Sequence, residues 1–393
     1  MDYPTFEGNG MPASVRLSRF RGASGVEEHH LVIQPAARGG VEAQLKALEA
    51  AYRSALAQQG LGGQTAVLRR FFCSDLANQR EALASRPFSN PLAPDEPCAI
   101  SWVCQPPGLG AKVSLWAYHV RDPGGALERV NEDSALTLRR GRLAHHWKAG
   151  MTCPSAKAAY GQTQGVLEEY ESFLRRHGMN LAENALRTWF FVQNIDADYQ
   201  GLVKARREFF ATRGLTADTH FIASTGVGGA HADVASQVAL DAYAVSGLTP
   251  GQVRFLAAPD HLSPTHIYGV TFERGTAVSY RDRRQVILSG TASIDREGRI
   301  MHPGDVLRQL DRTLENMQAL LAQAGAGLAD MGVFIVYLRD LGGDHDVVQR
   351  EMQARFGKAP MIIVAGAVCR PGWLIEIEGL AVVPADNPAL PAF

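Results

Sequence analysis

The stretch that decides the fold is Trp373-Leu374-Ile375-Glu376-Ile377-Glu378-Gly379-Leu380-Ala381-Val382-Val383. Apolar and acidic side chains alternate along it, which predicts a β-strand with Glu376 and Glu378 on the same face. Carboxylates on a central strand are unusual, because burial disfavours a charge unless a partner or a function retains it. This strand therefore holds the first candidate for a functional site.

The same strand pattern occurs twice more, at 238–245 and at 113–120. In these copies Ala239 and Ser114 take the position of Glu376. Three copies of one strand with a single glutamate at this position indicate one chemical site, located in the third copy.

Each strand copy ends a larger repeat in which helices and strands alternate. In the third repeat, apolar residues recur with a helical period over 305–324, and a strand, a second helix and another strand follow at 333–338, 344–356 and 361–368. The second repeat has the same order, including a helix over 199–212 and a final strand over 234–245. The repeats are too long for a solenoid, so the chain is predicted to contain three small α+β domains, at 1–125, 126–268 and 269–393.

The composition is that of an ordinary globular protein. Of the 393 residues, 46% are hydrophobic and 20% are charged, and the formal net charge is −1. A charge this small gives no general electrostatic reason to bind nucleic acid or an anionic membrane. The apolar run at 361–368 is also too short to span a bilayer.

The cysteines and histidines give no metal-binding pattern. Five cysteines are an odd number without CxxC spacing, and the N-terminus lacks the blocks of a secretion signal, so a reduced, cytoplasmic protein is expected. The adjacent pairs His29-His30 and His145-His146 point to opposite faces of a strand, which makes them poor chelators. No metal site is predicted.

The order strand–strand–helix–strand–helix–strand–strand resembles the RidA/YjgF family. The third repeat carries the resemblance in Ser289-Gly290-Thr291-Ala292-Ser293, in the helix with Gln309 and Asn316, and in the acidic strand. Members of this family are homotrimers of a chorismate-mutase-like α+β fold, with ligand sites in clefts between subunits. The resemblance implies tandem modules that form a pseudo-trimer within one chain. The alternative is that the first repeat is an unrelated α+β domain.

The resemblance to RidA enzymes does not include the arginine with which they bind their substrate. These enzymes deaminate enamines and imines, and an arginine that follows the second helix holds the substrate carboxylate. Met361 occupies that position here, counting back from Glu376. A thioether cannot replace the bidentate grip of a guanidinium group on a carboxylate. Simple imine deamination is therefore disfavoured.

Other segments are similar to chorismatases. Those of the C-terminal half are Ser289–Ile294, His302–Val306 and Cys369–Glu378, and those of the N-terminal half are Leu186–Trp189 and Ala223–Gly226. Chorismatases are cofactor-free enzymes that remove the enolpyruvyl group of chorismate as pyruvate. They leave a dihydroxycyclohexadiene carboxylate or a hydroxybenzoate. The resemblance implies that Glu376 is the catalytic acid and associates Cys369 with the subgroup that forms 3-hydroxybenzoate.

The surroundings of Glu376 suit this chemistry independently of the family. Cleavage of an enol ether begins with protonation of its methylene carbon, which requires an acid that is still neutral near pH 7. A glutamate beside Leu374 and next to a second carboxylate, Glu378, has two reasons for a raised pKa, desolvation and like charge. The second repeat also has an acid, Asp241, at the Glu378 position, which favours a structural role there. The alternative is that both glutamates face solvent.

A carboxylate substrate also requires cations and hydrogen-bond donors. We assign Arg339, at a strand end, and Arg206 and Tyr199, on the second repeat's helix, to substrate binding. The loop that begins with Ser224, Thr225 and Gly226 offers backbone N–H groups and two hydroxyls. The alternatives are structural ion pairs for the arginines, an ordinary turn for the loop, and a buried structural thiol for Cys369.

Together these features predict a cytoplasmic, cofactor-free chorismatase-like lyase or hydrolase of secondary metabolism. It would act on a small carboxylate as a monomeric pseudo-trimer or a loose homo-oligomer, without metal, nucleotide, flavin, nucleic acid or membrane. Two alternatives remain open. One is a RidA-type enzyme for another enamine or enol intermediate, and the other is a non-catalytic metabolite-binding module.

Overall fold

The computed structural model describes residues 1–6, 12–35, 39–93, 96–108, 110–132 and 134–393. Within these ranges the strands form three mixed sheets, one in each repeat, which we call modules 1, 2 and 3. No helix in the described ranges is long and apolar enough to cross a membrane.

Module 1 follows the predicted order of strands and helices. Its elements are β1 (Ala13–Arg21), β2 (Glu27–Pro35), α1 (Val41–Gln58), β3 (Ala66–Cys73), α2 (Leu76–Ala84), β4 (Ala99–Cys104) and β5 (Val113–Arg121). The sheet order is β1-β2-β5-β3-β4, and only the pair β3 and β4 is parallel among these strands.

Module 2 adds an edge strand and a short helix to the same plan. Its elements are β6 (Glu128–Glu132), β7 (Ala135–Arg140), β8 (Leu143–Thr152), α3 (Ala158–Arg176), α4 (Leu181–Asn184), β9 (Ala185–Val192), α5 (Ile195–Ala211), β10 (Ala223–Gly228) and β11 (Val238–Ser246). The sheet order is β10-β9-β11-β8-β7-β6.

Module 3 contains the acidic strand. Its elements are β12 (Val253–Phe255), β13 (Gly275–Ser279), β14 (Arg283–Ala292), α6 (Val306–Gln323), β15 (Met331–Leu338), α7 (Leu341–Phe356), β16 (Met361–Ala365) and β17 (Ile375–Pro384). The sheet order is β12-β13-β14-β17-β15-β16.

The three modules share one topology, which confirms the predicted α+β class. In each, the last strand lies centrally, between a strand of the first hairpin and the strand that follows the first helix. The strand after the second helix pairs in parallel at the edge. Module 1 has this arrangement as well, so the alternative of an unrelated first domain is wrong. Some predicted bounds shift: α5 begins at Ile195 rather than Tyr199, and β11 begins at Val238 rather than Val234.

One hydrophobic core is built from the inner faces of all three sheets. It includes Trp116 of module 1, Trp189 of module 2 and Tyr337 of module 3. The helices instead pack on the outer faces, where each module has its own core. Sheets therefore face inward and helices outward, as expected for a pseudo-trimer in which each apolar sheet face is covered by the other two.

A buried ion pair joins each pair of modules. The pairs are Arg70 with Asp241 between modules 1 and 2 (2.8 Å), Arg187 with Glu378 between modules 2 and 3, and Arg283 with Glu28 between modules 3 and 1 (2.8 Å). All six side chains are almost completely buried. A charge at such a site is tolerated only while its partner is present, so the pairs specify how the modules dock.

We predict that Arg283→Met lowers the free energy of unfolding by about 3–5 kcal/mol, because it leaves the Glu28 carboxylate buried without its cation. Arg296→Met is the matched control, because that exposed arginine pairs with Glu297, which is also exposed, and the pair should contribute at most about 1 kcal/mol. Urea unfolding of the two variants measures the difference. Equal losses in both variants would contradict the docking role of the buried pair.

Candidate active site

A cavity of about 310 Å³ lies where modules 2 and 3 meet. Module 2 contributes side chains of α5 and β10, and module 3 contributes β14, β17 and the loop that precedes β17. Glu376 is in its lining, together with Ser224, Gly226, Tyr199 and Arg206. The cavity thus brings together residues that the sequence places in different modules.

Glu376 lies on β17, opposite Ala292 of β14 and Tyr337 of β15. Its side chain is 5% exposed, which rules out the alternative that the acidic face of this strand looks into solvent. Within the described ranges, no hydrogen-bond donor or acceptor contacts the Glu376 carboxyl group. The carboxyl group therefore faces the cavity without a hydrogen-bond partner among the described residues.

Space for this carboxyl group comes from a bulge in β14. The pairing of β14 with β17 shifts register between Leu288 and Thr291, which leaves Gly290 beside Glu376. A Cβ atom at Gly290 would lie 1.9 Å from Glu376 Oε1. A side chain at this position would displace the carboxyl group, so glycine leaves the space that Glu376 occupies.

Glu378, two residues along the same face, is fully engaged. Its Oε2 accepts hydrogen bonds from Arg187 and from the Thr225 hydroxyl, and its Oε1 accepts from Trp189 Nε1 and Tyr337 Oη, both at 2.9 Å. Both oxygens act only as acceptors, as those of an ionised carboxylate do. Glu378 thus places a hydrogen-bonded carboxylate next to Glu376.

This environment raises the pKa of Glu376 to about 8. Burial is the largest cause, and the negative charge of Glu378 adds to it, while the cations Arg187 and Arg274 act in the opposite direction. The carboxyl group is therefore mostly protonated at pH 7. A neutral carboxylic acid without a hydrogen-bond partner is able to give its proton to a bound molecule.

Cys369 and Tyr199 line the same cavity as Glu376. Burial and the nearby Glu376 raise the pKa of the Cys369 thiol to about 12, and burial raises that of the Tyr199 phenol well above its usual range. Both groups are therefore neutral at pH 7. Cys369 is not a thiolate nucleophile here, and the pair instead offers polar hydrogens near the acid.

The rest of the lining is strongly cationic. Arg206 is 2% exposed and donates to Thr271 Oγ1 (3.2 Å) and Ser224 Oγ (3.3 Å). Four further cations line the cavity, namely Lys204, Arg207, Arg274 and Arg370. Glu376 is the one carboxylate among the lining residues that the structure describes. Such a cavity suits a ligand that carries two negative charges, since a single carboxylate needs fewer cations.

Apolar side chains cover part of the same wall. They are Val203, Val270, Phe272, Ala292, Ile294 and Trp373. Trp373 donates its indole N–H to Ser293 O (2.9 Å), which fixes the ring. The cavity therefore offers apolar side chains as well as cations, and a carbon ring that carries carboxylates can use both.

Two predicted substrate-binding residues lie elsewhere. Arg339 makes a bidentate ion pair with Asp196 of α5 (2.9 and 3.0 Å) and donates to Val368 O, so it joins module 3 to module 2 and holds the chain just before Cys369. Thr225 lies behind the cavity surface, where it accepts from Gly290 N (2.8 Å) and donates to Glu378. Both positions support the site without lining the cavity.

The RidA arginine position also needs a correction. Met361 is on β16, and its side chain belongs to the outer core of module 3 rather than to the Glu376 cavity. The edge strand that borders Glu376 is β10 of module 2, whose register places Ser224 where β16 has Met361. Because the cleft is built across modules, the relevant comparison is with Ser224. The nearby guanidinium group comes from α5, through Arg206.

Sequence reasoning missed several residues of the site. Arg187, Gly290 and Arg370 lie in the segments that resemble chorismatases. The resemblance of these segments could have singled out the three residues, although it assigned them no role. Arg274 lies just before β13 and Lys204 is on the exposed side of α5, and no local pattern singled them out. Within the described ranges, no group of three or more His, Cys, Asp or Glu side chains is arranged to hold a metal ion.

We predict that Glu376→Gln removes a pH-dependent loss of stability. The pKa of Glu376 is about 8 in the folded chain and near 4.5 when unfolded, so the unfolded chain releases this proton first. The contribution of this group to the free energy of unfolding is complete below pH 4.5. It declines by about 1.4 kcal/mol for each pH unit as the pH rises to about 8. Urea unfolding of the variant and of the unchanged protein between pH 5 and pH 9 measures this change in the free energy of unfolding.

The control for this measurement is Glu351→Gln, since Glu351 is a surface residue paired with Arg355. Its unfolding free energy should run parallel to that of the unchanged protein over the same pH range. A Glu376→Gln curve that is also parallel would show that the pKa of Glu376 is ordinary.

Comparisons with known proteins find a family match within module 3. The model of the Endoribonuclease L-PSP family matches residues 276–383. A RutC family protein of Pyrococcus abyssi is 35% identical over 98 residues, which cover 24% of this chain and 76% of the relative. A 3-hydroxybenzoate synthase of Streptomyces hygroscopicus is 26% identical over 258 residues, which cover 59% of this chain and 70% of the relative.

A solved structure extends the likeness over most of the chain. The crystal structure of a chorismatase at 1.08 Å superposes with a TM-score of 0.62 and 21% sequence identity, over 81% of this chain and 94% of the other. At this identity the likeness shows the fold. The chain therefore belongs to the RidA/YjgF superfamily, and within it is similar to the chorismatase branch.

Proposed function

We propose that this protein cleaves the enolpyruvyl ether of chorismate, or of a closely related cyclic acid, with Glu376 as the proton donor. The observation that supports this most is a buried carboxylic acid, neutral at pH 7, that faces a cation-lined cavity. The similarity to a 3-hydroxybenzoate synthase and to a chorismatase fold supports the same choice of substrate.

The first step transfers the Glu376 proton to the methylene carbon of the enol ether. A C–H bond forms from the π electrons of the double bond, and positive charge develops on the ether carbon, where the ether oxygen shares it. Glu376 becomes a carboxylate beside this cation and stabilises it. The surroundings that raise the pKa of Glu376 keep its proton in place at pH 7 until the enol ether accepts it.

The second step decides the product. If the bond between the ether oxygen and the ring carbon breaks, the ether oxygen leaves as the carbonyl oxygen of pyruvate. The ring keeps its own hydroxyl group and loses a proton to the Glu376 carboxylate, which gives hydroxybenzoate, so the two products contain every atom of chorismate. If water adds to the cation, its oxygen enters the products, and a dihydroxycyclohexadiene carboxylate leaves with pyruvate. Cys369 and the 26% identical synthase favour the hydroxybenzoate outcome.

The remaining side chains hold a dianionic substrate. Arg206, Arg274 and Arg370 offer guanidinium groups to its two carboxylates, while Phe272 and Trp373 contact the ring. Lys204 and Arg207 are exposed on α5 and attract the anion to the cavity. Proton transfer from Glu376 then requires only that the methylene carbon of the substrate faces this carboxyl group.

We predict that incubation with chorismate releases pyruvate together with hydroxybenzoate. Glu376→Gln should lower kcat by about 10²–10⁴-fold, the usual contribution of a positioned proton donor, while binding is retained. Pyruvate is measured with lactate dehydrogenase and the ring product by chromatography. Glu351→Gln should keep full activity, and near-normal turnover by Glu376→Gln would exclude the mechanism.

The pH dependence of the reaction follows from the direction of the same pKa shift. Because the active form is the protonated acid, kcat/KM should be constant below pH 8 and fall about tenfold for each pH unit above it. Initial rates of pyruvate release between pH 6 and pH 10 measure the profile. A rate that rises through this range would mean that Glu376 acts as a base.

A further inference from the structure

A second cavity, of about 280 Å³, lies where modules 3 and 1 meet. Module 3 contributes His345, Gln349 and Gln353 of α7 together with Met361 and Ile363 of β16, and module 1 contributes Ser14 and Arg16 of β1 and Gln34 of β2. None of these residues lines the Glu376 cavity. The two cavities are therefore separate and of similar size.

The pseudo-threefold arrangement makes this cavity the counterpart of the Glu376 site. In both, one module supplies its second helix and its parallel edge strand, α5 and β10 in one case and α7 and β16 in the other. The next module supplies strands of its first hairpin. The position of Glu376 in module 1 is Ser114, so this second cleft has no carboxylic acid at that position.

Arg16 is the one cation among the described residues of this lining, and its guanidinium group has no partner in the part of the chain that the structure describes. Its Nη1 is buried, and no described residue forms a hydrogen bond, an ion pair or a ring contact with its guanidinium group. Burial without such a partner lowers the pKa of Arg16. A half-buried, unpaired guanidinium at a cavity wall is the arrangement expected of a site for an anion.

The other lining residues indicate which kind of anion the cavity suits. No carboxylate is among the described residues of the lining, and the remaining polar groups are the amides of Gln34, Gln349 and Gln353, the Ser14 hydroxyl and the His345 ring. These neutral groups donate and accept hydrogen bonds, while Met361 and Ile363 form an apolar wall. One cation with neutral donors and an apolar wall suits one negative charge on a hydroxylated, partly apolar molecule.

We infer that the cavity between modules 3 and 1 is a second, non-catalytic binding site for a small hydroxylated monocarboxylate, held by Arg16. It binds without cleaving, because it has no counterpart of Glu376. The site does not depend on the reaction at Glu376. Under the proposed function, the hydroxybenzoate product has the required chemistry.

The test is isothermal titration calorimetry with 3-hydroxybenzoate as the probe and the neutral 3-hydroxybenzamide as the charge control. Arg16→Met should remove one binding event or weaken it by about tenfold or more, the loss expected when a charge-assisted contact is deleted. Arg19→Met is the matched control, since Arg19 is also on β1 but pairs with Asp2. It should bind as the unchanged protein does.

The number of sites separates this inference from the proposed function. If the Glu376 cavity also binds the probe, Arg16→Met reduces two sites to one, and if it does not, the reduction is from one to none. Initial rates with chorismate should be unaffected by Arg16→Met. Unaltered probe binding in Arg16→Met, equal binding of the amide, or no binding to the unchanged protein would overturn the inference.

A melting curve covers the case in which the substitution disturbs the fold. Because Arg16 has no partner among the described residues, neither Arg16→Met nor Arg16→Gln should lower the melting temperature without ligand. Both should lose the stabilisation that 3-hydroxybenzoate gives to the unchanged protein. A clear drop in melting temperature without ligand would show that Arg16 has a structural partner and would contradict the binding role.

Discussion

The ion pair between Arg187 and Glu378 is the interaction on which the site depends. It crosses from module 2 to module 3 in the centre of the shared core, and Thr225, Trp189 and Tyr337 complete the hydrogen bonds of the carboxylate. Docking of the two modules therefore also fixes a negative charge beside Glu376. Burial at this interface and, second to it, the charge of Glu378 keep the proton on the Glu376 carboxyl group, so the packing of the interface also sets the acidity of the site.

The three module interfaces show how a structural charge differs from a functional one. Asp241, which corresponds to Glu378, is paired with Arg70 and accepts a hydrogen bond from the backbone N–H of Gly150. Glu376 and Arg16 instead face cavities without partners in the described ranges. Paired groups hold the pseudo-trimer together, whereas unpaired groups carry a cost in stability that a bound molecule can offset.

Much of this could be predicted from the sequence, because the relevant signals are local. The alternation at 375–378 predicted that Glu376 and Glu378 share a buried face, and the repeated strand patterns predicted three modules of one topology. Contacts between residues of different modules could not be predicted from local patterns. Arg339 ends a strand as a ligand-binding arginine would, yet its partner, Asp196, belongs to another module. Met361 was compared with the RidA arginine for the same reason, since no local pattern shows that β10 borders Glu376.

The central claim is that Glu376 is a neutral acid at pH 7, and a direct titration tests it. The measurement is carbon-13 NMR of protein labelled at glutamate carboxyl groups, with the Glu376→Gln spectrum used to assign the Glu376 signal. We predict that this signal titrates with a pKa of about 8, far above the other glutamates. A midpoint near the ordinary value of 4.5 would mean that the group is ionised at neutral pH, and it would contradict the account of the site.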